Sequence, residues 1–333
     1  MIRTAIVGLG WWGQTLVNSV HGKSQDIQFV ACHVRNKAKA EAYCKEKGLT
    51  FIDSYEAVLK DPTIDAVVLA TPHSEHGPQI KRAAAAGKHI YVEKPFTLDL
   101  KSAEPALAAV KKAGVTLAVG YQRRFSPNLG EVRASVRDGR LGTIAHCECE
   151  ATAHAGLVMA ADSWRAKSEQ TPAGAMTALG VHPLDGMIDL FGEIDEILCL
   201  NVRRASTLVD DTTSLLMRFK NGMTGSLMCC LTTAPSYRVA VFGSKAYAEV
   251  SGPGLENLRI APVPNTPPGT PPPPPEVSEK KGVDLLRLAL EAFAKAAKGG
   301  APYPTTHEQI RHGVAVFEAL VRSSKSGKYE KVG

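Results

Sequence analysis

Nine residues near the N-terminus, Ala5-Ile6-Val7-Gly8-Leu9-Gly10-Trp11-Trp12-Gly13, constrain the fold of this chain more than any others. An apolar run ends abruptly in Gly-x-Gly-x-x-Gly, and a helical pattern with Leu16, Val17 and Val20 on one face follows. A strand–turn–helix phosphate cradle requires that order. Gly8 permits the tight turn, Gly10 has no Cβ to hold a diphosphate away, and Gly13 lets the helix lie close on the strand. The helix N-terminus, with Trp11 and Trp12 in its first turn, aims free N–H groups at the anion. Strand before and helix after separate this pattern from an ordinary glycine-rich turn.

The alternation continues. Residues 27–33 read as a second strand and 37–47 as its helix, ended by Gly48. A short third strand is expected over 50–52, with a helix over 54–60 behind it. The run Asp65-Ala66-Val67-Val68-Leu69-Ala70 is continuously apolar after its first residue, as a strand buried on both faces should be. Further strands are expected at 88–92 and 115–119, with helices over 78–86 and 98–113. Such alternation predicts an α/β domain over residues 1–121, with a doubly wound parallel sheet. Ligands of such sheets bind beyond the carboxyl ends of the strands.

The loops at those ends therefore carry the candidate site. After the second strand stand Arg35, Asn36 and Lys37, with no carboxylate to hydrogen-bond an adenosine ribose and repel a 2′-phosphate. Arg35 suits adenine stacking or phosphate pairing, so NADP(H) is expected, with NAD(H) as the alternative. A solvated helix start is the plainer reading of these charges. After the fourth strand come Ala70, Thr71, Pro72, His73, Ser74 and His76. Thr71 and His76 are expected to contact ribose or phosphate, with helix capping by Ser74 as the alternative. His73 and His76 have no third ligand beside them, so no metal is expected. After the fifth strand stand Glu93, Lys94 and Pro95. Proline stiffens the turn, and Lys94 at that edge points where a nicotinamide would lie, able to support a substrate oxygen as hydride moves.

A chain of 333 residues can form two cores. Net charge is +6, but the basic residues are scattered among acids, which argues against nucleic acid or membrane partners. The apolar runs are too short to span a bilayer, and Met1-Ile2-Arg3 leads into the first strand without a secretory leader pattern. Seven dispersed cysteines form no disulfide framework, so reduced thiols and a cytoplasmic location are expected.

The second domain is expected over residues 122–333. A helix over 129–138 leads to a strand near 143–152. Thr171-Pro172 reads as a helix start, and the helix then carries Ala178, His182, Asp185 and Asp189 on one stripe, as a site wall would. Strands follow near 196–204, 212–220, 223–233, 237–242 and 246–251, and Asn221-Gly222 signals a hairpin. Leu215, Met217 and Phe219 alternate with polar residues, as in an antiparallel sheet with one covered face. The other face, with Met228, Cys230 and Thr232, is expected to meet another subunit in a homodimer or homotetramer; a solvated sheet is the alternative. Residues 261–276, with five consecutive prolines, should run extended. Helices over 283–298 and about 306–324 end the chain, the last expected at the domain junction.

Taken together, these motifs resemble the Gfo/Idh/MocA (glucose–fructose oxidoreductase/inositol dehydrogenase) family. The resemblance rests on Gly8-x-Gly10-x-x-Gly13, Ala70-Thr71-Pro72 with His76, Glu93-Lys94-Pro95, Gly120-Tyr121-Gln122-Arg123-Arg124-Phe125-Ser126-Pro127, Trp164-Arg165 and Gly180-Val181-His182-Pro183-Leu184-Asp185. It implies a Rossmann domain followed by an α+β domain with a large, mainly antiparallel open sheet. It also implies NAD(P)-dependent oxidation or reduction of a sugar, polyol or related small molecule such as a cyclic diol. Gln122 and Glu93 join the cofactor residues by resemblance, and Arg123, Trp164, Arg165 and His182 the substrate residues.

One departure stands out: the family pattern carries an Asp four residues before the catalytic His, and here that position is Ala178. Asp185 is the candidate to orient the imidazole instead. The expected chemistry is hydride transfer with His182 accepting the hydroxyl proton and Lys94 supporting the alkoxide. An unassisted imidazole, with an ordinary pKa near ~6.5, can still act as a base. The alternatives are a dinucleotide-binding sensor or partner protein without turnover, and a reductase of a C=N or C=C bond.

Overall fold

Strand β4 (Ala66–Leu69) has four side chains fully removed from solvent, and a sheet is built outward from it on both sides. The computed structural model describes residues 1–265, 267 and 270–333. Six parallel strands lie in the order β3 (Thr50–Phe51), β2 (Ile27–His33), β1 (Ile2–Val7), β4, β5 (His89–Val92) and β6 (Leu117–Val119). The order reverses between β1 and β4, which creates the crevice at the carboxyl ends where such folds bind ligands. All six strands stand where the apolar runs put them.

The helices depart more. The segment expected as one helix over 37–47 is a 3₁₀ turn, Lys37–Lys39, followed by α2 (Glu41–Lys47). Gly48 ends α2 in the left-handed conformation, as expected. Helix α4 (His73–Ala85) begins before the expected proline start and holds Pro78 inside it. Asp99 caps α5 (Leu100–Ala113) through its side chain, which accepts from Ser102 N. Ala103, Ala106, Leu107 and Val110 of α5 recur at helical spacing and pack into the core with Val67, Leu69, Ile90 and Phe96.

The chain divides into two units, each made of two stretches. The first comprises residues 1–122 and 284–314, the second residues 123–283 and 315–333. Helix α8 (Leu285–Ala297) lies in the first unit against α1 (Trp11–Val20), β2 and β5, and Phe293 meets Tyr91 edge to face. Tyr303 donates to Val119 O at 3.1 Å, and Ile310 and Val314 of α9 (His307–Ser326) complete the same core.

The second unit is organised on nine strands. Their order is β14 (Glu276–Glu279), β13 (Asn257–Pro262), β12 (Ala246–Ser251), β11 (Ser236–Gly243), β7 (Ile144–Thr152), β10 (Thr224–Cys230), β9 (Thr212–Phe219), β8 (Ile194–Val202) and β15 (Glu330–Lys331). Strands β7 and β10 pair in parallel, and the other neighbours described are antiparallel. The expected hairpin joins β9 to β10, with Gly222 N donating to Phe219 O at 3.0 Å.

One face of this sheet is buried under α7 (Val181–Phe191): Cys147, Cys149, Leu215, Met217, Phe219, Leu227 and Val239 point inward. The other face keeps Leu200, Leu216 and Phe242 exposed. Strands β13, β14 and β15 were not foreseen. Within the expected extended segment, residues 266, 268 and 269 lie outside the described residues. Of the rest, Ala261 and Pro262 belong to β13 and pair with β12, which corrects the expectation there, while residues 271–275 form neither helix nor strand before β14 begins. Among the described residues no helix is long and apolar enough to cross a membrane.

Candidate functional site

In the first unit the glycine turn is set by backbone contacts. Gly8 has φ +92°, and a Cβ there would lie 2.5 Å from Ala70 O, so both conformation and space require glycine. A Cβ on Gly13 would lie 2.1 Å from Gly8 O, so helix α1 rests directly on the turn it follows. Gly10 differs: no atom of the described residues lies within 4 Å of its Cβ position. That is a cradle a Cβ would fill, at the start of a helix whose first N–H groups face outward. Trp11 stands 75 % exposed beside it, with its ring 5.3 Å from that of Trp12. Gly8 N donates to His33 O at 2.9 Å and Ala70 N to Val7 O at 2.8 Å, which locks the ends of β1, β2 and β4 together. These residues fit the diphosphate of a dinucleotide.

The other strand ends complete the crevice rim. Arg35, Asn36 and Lys37 are exposed after β2, and the Lys37 ammonium lies 5.2 Å from the Phe51 ring. Glu93 is buried at the end of β5, and a Cβ on Gly120 would meet its carboxylate at 2.7 Å. Lys94 is partly buried, and the Lys94–Pro95 peptide is cis. Gln122 is also buried, and its Oε1 has no hydrogen-bond partner among the described residues. A carboxamide N–H is the kind of donor that such an atom needs.

His76 requires a correction. It is fully buried, with Nδ1 2.9 Å from Pro95 O and Nε2 3.1 Å from Thr71 O. Two carbonyls would favour a second proton, but removal from water outweighs them and holds the ring below the usual histidine range. His76 therefore ties the Thr71 loop to the Lys94–Pro95 loop from beneath, rather than reaching a ribose or phosphate. Thr71 likewise spends its hydroxyl within the protein, donating to Gln79 Oε1 at 2.7 Å. The N-cap of α4 is Pro72, and Ser74 stands in its first turn.

In the second unit, helix α7 is buried on nearly every side and carries His182, Asp185 and Asp189. It does not begin at Thr171-Pro172. The Thr171 hydroxyl instead donates to Arg165 O at 2.8 Å and so holds the 3₁₀ turn Trp164–Ala166. Ala173 and Gly174 then take positive φ, and a π-turn, Met176–Gly180, leads into α7. Ala178 therefore lies in the π-turn, while His182, Asp185 and Asp189 lie on α7 itself.

Asp185 also engages an arginine: its two oxygens accept from Arg124 Nε and Nη2, each at 2.7 Å. Asp189 takes Arg124 Nη1 at 3.1 Å and Arg133 Nε at 2.7 Å. Burial pushes the Asp185 carboxyl up, against the pull of Arg124. Arg123, His182, Asp185 and Tyr237 line one small cavity, and the Arg123 guanidinium lies 4.3 Å from the Tyr237 ring with Nη1 donating to Pro253 O. Trp164 and Arg165 do not line that cavity; the Arg165 guanidinium stacks 4.4 Å from the Trp164 ring. Arg124 and Arg133 escaped sequence reasoning. The one available signal was a pair of acids four apart on an apolar helix, which demands buried cations.

Two outcomes are expected. Gly10→Ala should leave thermal stability near wild type and weaken dinucleotide binding at least tenfold, whereas Gly13→Ala should lose about 1–3 kcal/mol of stability in urea denaturation. Arg124→Met takes both guanidinium bonds from buried Asp185, leaves Asp189 with Arg133, and should cost about 3–5 kcal/mol. The same denaturation curves measure it, and a cost below about 1 kcal/mol would show that the cluster carries no such burden.

The comparisons with known proteins agree with this geometry. Residues 2–121 match the oxidoreductase family with an NAD-binding Rossmann fold, and residues 130–249 match the GFO/IDH/MocA C-terminal domain. An uncharacterized oxidoreductase of Bacillus subtilis (strain 168), YrbE, is 29 % identical over 258 residues, covering 74 % of this chain and 73 % of its own. The scyllo-inositol 2-dehydrogenase (NAD(+)) of the same organism is 40 % identical over 147 residues, 42 % of each chain. Among solved structures, levoglucosan dehydrogenase in complex with NADH and levoglucosan superposes with a TM-score of 0.88 at 18 % identity, covering 99 % of both chains, which shows the fold. With a glycine cradle at the carboxyl ends of a parallel sheet and an open mixed sheet after it, this chain belongs to the Gfo/Idh/MocA family of NAD-binding oxidoreductases.

Proposed function

We propose that the protein transfers hydride between NADP(H) and the carbinol carbon of a sugar, polyol or cyclic diol, with Lys94 and His182 as the acid/base pair. The observation that carries the reading is the open space at Gly10, inside a turn otherwise locked by backbone contacts. Relatives act on alcohols of this kind by name: scyllo-inositol in one, levoglucosan in another. Bound nicotinamide supplies the hydride acceptor or donor. In the oxidation direction the His182 imidazole takes the hydroxyl proton while the Lys94 ammonium supports the developing alkoxide. Arg123 and Arg165 supply fixed cations for hydroxyl oxygens, and Trp164 an apolar face for a sugar ring. Gln122 Oε1 would be free to accept from the nicotinamide carboxamide. Arg35, exposed after β2 with no acid near it in sequence, favours the 2′-phosphate of NADP(H) over NAD(H).

One observation favours a second reading, a dinucleotide-binding protein without turnover. Ala178 in the π-turn brings no carboxylate to the imidazole. Turnover decides between them. With Trp11, Trp12 and Trp164 as fluorescence reporters, NADPH should bind more tightly than NADH. A panel of inositols, aldoses and cyclic diols should reveal a substrate. Lys94→Met and His182→Ala should then each lower kcat by about 10²–10⁴ with little change in NADPH affinity. Wild-type turnover in both variants would refute the assignment.

We further propose that the exposed sheet face of the second unit meets a second copy of this chain. Leu200 and Leu216 are 59 % and 50 % exposed there, and Glu148 and Glu150 flank Arg238 on the same face, a mixture of signs that suits a self-complementary contact. Leu216→Arg should convert the oligomer to monomer in sedimentation. A wild-type monomer at micromolar concentration would remove the proposal.

A further inference from the structure

Two of the seven cysteines stand apart from everything above. Cys32 lies on β2, paired with Ile6 of β1 on one side and Phe51 of β3 on the other. Cys44 lies on α2, and both thiols are buried. Their Sγ atoms are 2.7 Å apart. Ordinary non-bonded contact lies near ~3.5–4.0 Å, and a disulfide needs about 2.05 Å. Neither sulfur can readily drift away. Cys32 is held by two strands, and α2 is fastened to α1 through Tyr43, whose hydroxyl lies 3.1 Å from Gln14 O and 3.0 Å from Asn18 Oδ1. The chain between the two cysteines contains the exposed residues Arg35, Asn36 and Lys37.

We propose that Cys32 and Cys44 form a reversible disulfide under an oxidant of the peroxide class, and that this bridge clamps the segment 33–43 at the adenosine end of the dinucleotide crevice. The step balances in two stages. Cys44, the less buried at 5 % exposure against 0 %, gives up its proton, and its sulfur attacks one peroxide oxygen; water leaves and a sulfenic acid remains. The Cys32 sulfur then attacks that sulfur, the S–S bond forms, and the hydroxyl departs as a second water with the Cys32 proton. Two thiols are oxidised by two electrons and the peroxide is reduced to two waters. Burial pushes the Cys32 thiol up, so in a reducing compartment the pair rests as thiols and reacts slowly with bulky reagents. The bridge closes a short loop that contains the exposed residues Arg35, Asn36 and Lys37. It removes conformations of that loop in which Arg35 is turned away, which pre-organises the segment.

The consequence for binding rests on the function proposed above; formation of the bridge does not. The experiment uses the full chain with Cys230→Ser, which removes the one thiol that is not fully buried. After hydrogen peroxide treatment, thiols titrated in denaturant should fall by two. Peptide mapping should place the loss in a Cys32–Cys44 cross-link, and dithiothreitol should restore both. The oxidised protein should bind NADPH about threefold or more tightly than the reduced one, a difference absent in the Cys44→Ser variant. An unchanged thiol count, or a cross-link elsewhere, overturns the proposal. A Cys32–Cys44 bridge with unaltered NADPH affinity overturns the clamp. A bridge in a protein that binds no dinucleotide in either state sinks the proposed function and leaves the redox pair standing.

Discussion

The dinucleotide half of this protein depends on three backbone atoms approaching one another more closely than any side chain permits. The carbonyl of Ala70 sits against Gly8, and the carbonyl of Gly8 sits against Gly13. Because the turn is pressed between β4 and α1, its shape follows from main-chain packing and is indifferent to the side chains on its rim. One position in it faces open space, Gly10, and the fold leaves the room for a diphosphate there. The core beneath, centred on Val67, Leu69, Ile90 and Val92, holds the strand ends at fixed height, so the loops that follow β1, β2, β4, β5 and β6 converge on one rim.

That rim is braced from below by buried polar groups. His76 spans Thr71 and Pro95, Gln79 takes the Thr71 hydroxyl, and the Glu93 carboxylate packs on Gly120. Residues that look like ligand contacts in the sequence can therefore serve as the supporting layer. Their conversion to apolar residues would disturb Lys94 by moving its loop, not by removing a contact to the reacting atoms. Polar networks of this kind fix geometry more than they stabilise the fold.

The second unit solves a different problem. Helix α7 is wrapped by protein on nearly all sides, yet it carries two carboxylates, and burying them alone would be prohibitive. Arg124 and Arg133 neutralise them, and the four groups form a closed cluster on the helix that presents His182. Such a cluster adds little net stability compared with apolar packing, but it permits few alternative placements of the helix. Ahead of α7, the π-turn holds Ala178, the position that the family pattern gives to an aspartate.

By itself the sequence determined what short-range physics can decide. The glycine turn, six parallel strands, the β9–β10 hairpin and the alternating face of β9 each follow from periodicity or turn chemistry within about ten residues. Tertiary structure decided the rest, since those features depend on partners far away in the chain. Arg124 meets Asp185 across 61 residues, His76 is buried by a loop 19 residues on, and residues 284–314 return to complete the first core. Helix type and start at 171–180 followed the positive-φ pair Ala173–Gly174 and the close approach of Asp210, not the local Thr-Pro signal. Local pattern says which face of an element is apolar; only packing says which groups on that face find each other, because pairing energy depends on distance in space and not on separation along the chain.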